Sequence, residues 1–252
     1  MSFTLSANIS MLFPDLPFVE RIGAAARAGF RAVECQFPYA LPAAEIAAAL
    51  KEHRVVMNGI NTRPGETFGS AAMAGEGARF RDDLEVALDY ARVLGVKTLH
   101  CMSGMTGGLS AQARKTFLHN MAHASARARD FTLVIEPLNS VDRPGYFVSR
   151  SDDVVALLQD LQAPNVKLLF DIYHIQIMEG DLLRRMERHW PHIGHVQIAS
   201  VPHRHEPDLG EINLTVILQT LKERGYTGFV GAEYNPRGDT CAGLDWARPW
   251  LS

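Results

Sequence analysis

Cysteine is scarce. The three present, Cys35, Cys101 and Cys241, are scattered, odd in number and form no C-x-x-C pair, so reduced thiols in a cytoplasm are expected. Long hydrophobic runs are missing too. No stretch of 18 apolar residues occurs, which removes a transmembrane helix from consideration. The first basic residue is Arg21 and no apolar segment follows the start Met, so no secretory signal is expected and the protein reads as cytoplasmic. Positive charge is not in excess either. A net charge of −3 gives no electrostatic case for nucleic acid or an anionic membrane as partner. Finally, Ser6 to Phe13 holds no glycine, so the Gly-rich turn that marks a dinucleotide-binding doubly wound sheet is absent after the first strand.

What is present is a large apolar core and a regular rhythm. Hydrophobic residues make up 47% of 252, a length typical of one α/β barrel. Phe3 to Ile9 alternates apolar and polar residues as a strand does. Phe18, Ile22 and Ala25 then fall on one helical face, and Gly29 ends that helix. Strands follow at Ala32–Phe37, Val55–Ile60, Val96–Met102, Thr132–Glu136, Val166–Asp171, Ile193–Ala199 and Gly228–Tyr234. Helices are expected between them: Pro42–His53, an amphipathic one from Phe80 to Leu94, Ser110–Arg129, one capped by Ser151 with Asp152 and Asp153 in its first turn, Leu182–Trp190, and one capped by Asn213. The stretch Asn61–Gly75 is a loop long enough to suggest a role. Eight β-α units with no linker or composition shift imply one domain over 1–252, a parallel sheet closed as a (β/α)8 TIM barrel. The tail is Trp-rich, and Trp246 and Trp250 could pack on the barrel or on a second copy, as a homo-oligomer.

Active sites of such barrels lie at the C-terminal ends of the strands. Four consecutive strands end on an acid or amide: Glu136 in Val134-Ile135-Glu136-Pro137, Asp171 in Leu169-Phe170-Asp171-Ile172, Gln197 in His195-Val196-Gln197-Ile198, and Glu233 in Gly231-Ala232-Glu233-Tyr234. A lone strand-end carboxylate is ordinarily a cap or a surface charge. Three within apolar strands are costly to bury unless a cation compensates them. Four oxygen donors on neighbouring strands suit one hard divalent cation, Mg²⁺ or Mn²⁺. Glu34 is also a strand carboxylate, for which only an internal polar contact is expected. His174, three residues after Asp171 on the loop or first turn above strand six, could hydrogen-bond a substrate hydroxyl or carbonyl. The fork of Arg204 suits a substrate carboxylate, and His100 at the end of strand four could line the pocket; a solvated charge and a core histidine are the plainer alternatives.

These stretches, with Glu136-Pro137-Leu138-Asn139-Ser140, Pro144-Gly145-Tyr146-Phe147, Asp171-Ile172-Tyr173-His174-Ile175-Gln176, Arg204-His205-Glu206-Pro207 and Gly210-Glu211-Ile212-Asn213, resemble the hydroxypyruvate isomerase family, which includes the 2-oxo-tetronate isomerases, within the xylose-isomerase-like sugar isomerases and epimerases. The resemblance implies that Glu136, Asp171, Gln197 and Glu233 are metal ligands. It implies that Glu136 and Glu233 are also the proton donor and acceptor pair, and that His174 and Arg204 contact substrate. Many relatives carry His where Gln197 stands, and the Gln looks like the hydroxypyruvate isomerase branch. The implied reaction moves one proton between adjacent carbons of a small oxo-hydroxy acid through a cis-enediolate. Three rivals differ: a ketose 3-epimerase that returns the proton to the same carbon, an abasic-DNA endonuclease with a His-rich multi-zinc cluster, and a non-catalytic sugar-acid binding protein.

Overall fold

Each strand pairs in parallel with the next, and the last pairs with the first. In the computed structural model, which describes residues 3–251, the strands are β1 (Thr4–Asn8), β2 (Ala32–Glu34), β3 (Val56–Asn61), β4 (Thr98–His100), β5 (Thr132–Ile135), β6 (Val166–Asp171), β7 (Ile193–Ile198) and β8 (Phe229–Ala232). They close in sequence order into an eight-stranded barrel, with β1 bonded to both β2 and β8. The helices are α1 (Phe18–Arg27), α2 (Ala43–His53), α3 (Gly77–Leu94), α4 (Ala111–Arg127), α5 (Ser151–Leu161), α6 (Ile172–Met178), α7 (Leu182–His189) and α8 (Leu214–Glu223). This is the single (β/α)8 TIM barrel expected from the sequence. Met1, Ser2 and Ser252 lie outside the described residues. Among the described residues no helix is long and apolar enough to cross a membrane.

Period-two alternation divides the strand side chains between two environments. Leu5, Val33, Val196, Ile198 and Val230 are buried in the apolar cluster that also holds Ile22, Leu84, Phe117, Leu157 and Leu218 from the helices. Their alternates, Ser6, Asn8, Glu34, His195 and Gln197, are buried as well, so the barrel interior is polar where many barrels stack branched aliphatics.

Three local details depart from the sequence reading. Several strands are shorter than expected, so Glu136 and Glu233 lie one residue past β5 and β8. The second is α6, an extra helix directly after β6, whose first turn carries His174 as anticipated; the Asp171 carboxylate starts it by accepting from the Tyr173 N–H at 2.8 Å. The third is the start of α5. Ser151 is its first residue rather than its cap: its hydroxyl bonds no backbone N–H, and its own N–H donates to the carboxylate of Glu179 at 2.7 Å. Ser110 and Asn213 do cap α4 and α8.

The long loop after β3 is fastened to the end of β4. Gly69 has φ +108°, and a Cβ there would lie 2.2 Å from the Met102 carbonyl oxygen, so only glycine permits this approach. Both tail tryptophans pack on the barrel: Trp246 meets Tyr234 edge-on at 6.1 Å and Trp250 stacks on Phe3 at 5.6 Å.

Candidate active site

At the C-terminal mouth of the barrel lies a cavity of about 510 Å³. Its lining includes Glu136, His174, Arg204, Glu233 and His100, all anticipated from the sequence, together with Gln36, Phe68, Arg143 and Tyr173, which were not. Single ligand atoms of Glu136, Asp171 and His174 lie within 4.8 Å of one another. Glu233 joins them through Arg204, whose Nη2 donates to Asp171 at 3.4 Å and to Glu233 Oε2. Asp171 and Glu233 therefore face the same guanidinium nitrogen. Gln197 stands level with Asp171 in the β6–β7 register, but lines a separate small cavity of about 20 Å³ with Glu34 and His195.

Glu34 organises that second cavity. Its Oε1 accepts from Gln197 Nε2 at 2.7 Å and from Asn8 Nδ2 at 3.2 Å. Its Oε2 meets Asn58 Nδ2 at 3.1 Å and His195 Nε2 at 2.8 Å. Asn8 in turn donates to Glu233 Oε1 at 2.9 Å, and so does Gln36. One carboxylate thus holds Gln197 directly and Glu233 through one bridging amide. Burial drives the Glu34 carboxyl up, but the charge of His195 and bonds from His195, Gln197 and Asn58 outweigh it and leave it below the ordinary value. Gly231 makes room for this group: a Cβ there would lie 2.3 Å from Glu34 Oε1. The internal contact anticipated for Glu34 is present, but its links to two site residues were missed. The two-residue spacing of Ser6 with Asn8 and of His195 with Gln197 puts each pair on one face of its strand, but it does not name their partners.

The mouth carboxyls are perturbed the other way. Burial, with the charges of Glu233 and Asp171, pushes Glu136 well above its usual range. Burial raises Asp171 despite Arg204 beside it. Burial also lifts Glu233 to about 7, with Arg204 opposing. His174 is held well below its ordinary value by burial and by Arg204, Arg143 and His100, and is neutral. The Asn139 backbone N–H donates to its Nδ1 at 3.1 Å, which puts the ring proton on Nε2. That Nε2–H faces Glu136 and Asp171, each 3.6 Å away, just beyond hydrogen-bond distance. His100 is lowered to about 3 by burial and by His195; its Nδ1 lies 3.4 Å from Glu136.

This donor set fits a divalent cation. Three buried carboxyls resist ionisation together, and a nearby positive charge relieves them. Glu136 Oε1 and Gln197 Oε1 are buried acceptors with no hydrogen-bond partner among the described residues. Oxygen donors without thiolates suit Mg²⁺ or Mn²⁺.

A closed barrel with acids gathered at the strand ends defines a class, and the family comparison agrees: residues 22–250 match the xylose isomerase-like TIM barrel family, to which this chain belongs. Within it the chain is an isomerase of the hydroxypyruvate isomerase type. It is 43% identical to the 2-oxo-tetronate isomerase of Cupriavidus necator, with 98% of each chain covered. It is 38% identical to the hydroxypyruvate isomerase of Escherichia coli, over 97% of this chain and 98% of that one. A crystal structure from Brucella melitensis described as an AP endonuclease of family 2 superposes with TM-score 0.96 at 44% identity, covering 99% of each chain.

Proposed function

We propose that this isomerase moves a proton between adjacent carbons of a small oxo-hydroxy acid, either hydroxypyruvate to tartronate semialdehyde or 2-oxo-tetronate to 3-oxo-tetronate. The observation that carries the reading is the pair Glu136 and Glu233. Both line one cavity, and burial raises both carboxyls, Glu233 to about 7. A base near neutrality balances availability against strength. Glu136, Asp171, Gln197 and Glu233 would hold the cation, which would supply positive charge to offset that building on the substrate's carbonyl and hydroxyl oxygens.

One glutamate takes the proton from the hydroxyl-bearing carbon, the other, or the same one, returns a proton to the neighbouring carbon, and the hydroxyl proton passes to the former carbonyl oxygen, so that carbonyl and hydroxyl exchange places. Asn8 and Gln36 hold Glu233 Oε1 at 2.9 Å each, which orients the carboxyl without protonating it. His174, neutral and with its proton on Nε2, donates to a substrate oxygen as charge builds there. The names of the relatives support the substrate class, and the cavity accommodates three or four carbons.

The endonuclease reading expects a His-rich multi-zinc cluster. Among the described residues one group alone, Glu136, Asp171 and His174, has metal-ligand spacing, and this favours the isomerase. The test is a panel of 2-oxo and 3-oxo sugar acids, assayed with and without Mg²⁺ or Mn²⁺, with products followed by NMR in D₂O. Turnover of a hydroxy-oxo acid into its positional isomer is expected. Inversion at one carbon without carbonyl migration would make it an epimerase, and inactivity on every acid would refute the proposal.

A further inference from the structure

An oxo acid carries a carboxylate into a cavity already holding three carboxyls, so it needs a cation that those acids have not claimed. Arg204, the residue anticipated for this task, already shares its charge with two site acids: its Nη2 bonds both Asp171 and Glu233, and its guanidinium lies 4.9 Å from the centre of the Tyr173 ring, although its buried Nε has no partner among the described residues. The other arginine lining the cavity is Arg143, on the loop between β5 and α5. We propose that Arg143 is the anchor for the substrate carboxylate, an inference that rests on the oxo-acid reading above.

Three observations support it. No carboxylate of the described residues lies within 4.0 Å of the Arg143 guanidinium, and its hydrogen bond is to the neighbouring Asp142 carbonyl at 2.9 Å. The acid best placed to neutralise it, Asp142, is turned elsewhere: its Oδ2 accepts from Asn139 at 3.0 Å and from the Tyr173 hydroxyl at 2.9 Å. The guanidinium is also stacked, 4.2 Å over the ring of Phe68. That ring holds the guanidinium in place, and its other N–H donors are left for a planar two-oxygen partner. Arg143 lines the same cavity as His174, Glu136 and Glu233. The reacting carbons then lie between this anchor at the rim and the glutamates deeper in the mouth, and Phe68 and Arg143 together set the length of acid accepted.

The test measures binding and turnover separately on the metal-loaded enzyme. Glycerate, a hydroxy acid with no carbonyl to isomerise, is titrated calorimetrically into the wild type, Arg143→Gln and Arg143→Lys. A charge-assisted pair of about 1.5–3 kcal/mol corresponds to about 10–150-fold in affinity, which Arg143→Gln loses and Arg143→Lys partly keeps. With the turned-over acid, KM rises over the same range and kcat falls by less than KM rises. Arg143→Gln binding glycerate as tightly as the wild type overturns the anchor, and so does a wild type that does not bind glycerate. A wild type whose glycerate affinity depends on Arg143 but which isomerises no oxo acid upholds the anchor and sinks the reaction instead.

Discussion

Replacing Glu34 by glutamine tests whether the deep carboxylate governs the site above it. The side chain keeps its shape but exchanges one acceptor oxygen for an NH₂. Each oxygen of Glu34 faces two nitrogen partners, Gln197 and Asn8 on one side, Asn58 and His195 on the other. Either orientation of the new amide therefore sets donors against donors, and the charge that strengthened all four bonds is gone. Removing one partner from a buried charged network costs about 3–5 kcal/mol. For a protein of this size that is a fall in Tm of roughly 6–20 °C, at about 2–4 °C per kcal/mol.

The pH dependence has a definite sign. The folded carboxyl lies below its unfolded value, so its stabilisation is complete above the ordinary glutamate value of 4.5 and is lost as pH falls through the folded value. The gap between wild type and Glu34→Gln should be widest near neutral pH and should narrow in acid, as read by calorimetric melts across pH. Freed from Glu34, the Gln197 amide also loses its orientation, and Mn²⁺ affinity should weaken by about 10–100-fold, the usual cost of losing a group that orients a metal ligand. A neutral-pH Tm within 2 °C of wild type, or an unchanged Mn²⁺ affinity, would show that this network neither stabilises the barrel nor sets the ligand.

Glu233→Gln and Glu136→Gln should each lower kcat by about 10²–10⁴-fold, the range of general acid–base catalysis, while leaving a folded barrel. In EDTA at pH 7 the Glu136→Gln protein should melt at or above the wild type. Its carboxyl is raised by burial, so ionising it costs stability that a neutral amide does not. Dialysis against EDTA should abolish turnover and lower Tm, and Mg²⁺ or Mn²⁺ at about 100 times its Kd should return roughly 2.7 kcal/mol of stability. Gly231→Ala drives a methyl into the Glu34 carboxylate, so a loss of about 1–3 kcal/mol by thermal melts is expected, together with weaker Mn²⁺ binding; equal stability would mean that the strands yield at no cost.

The barrel was legible because its signals are local. Apolar runs such as Val166–Phe170 and helix ends such as Gly29 and Asn213 act within a few residues, and a right-handed β-α rhythm leaves few ways to close. Strand-end acids were legible for a related reason: Glu136, Asp171 and Glu233 follow apolar runs, and closure alone brings neighbouring strand ends together. What could not be read was partnership across the barrel. Asn8 meets Glu233 across 225 positions and Glu34 meets Gln197 across 163, and no spacing along the chain encodes such pairs. The same limit explains the two arginines. The sequence pointed to Arg204 alone and passed over Arg143, because which arginine the acids have engaged depends on where Asp171, Glu233 and Asp142 point. Cation choice at this mouth is thus set by competition among side chains, and a substrate acid is expected at the arginine that the site acids leave over.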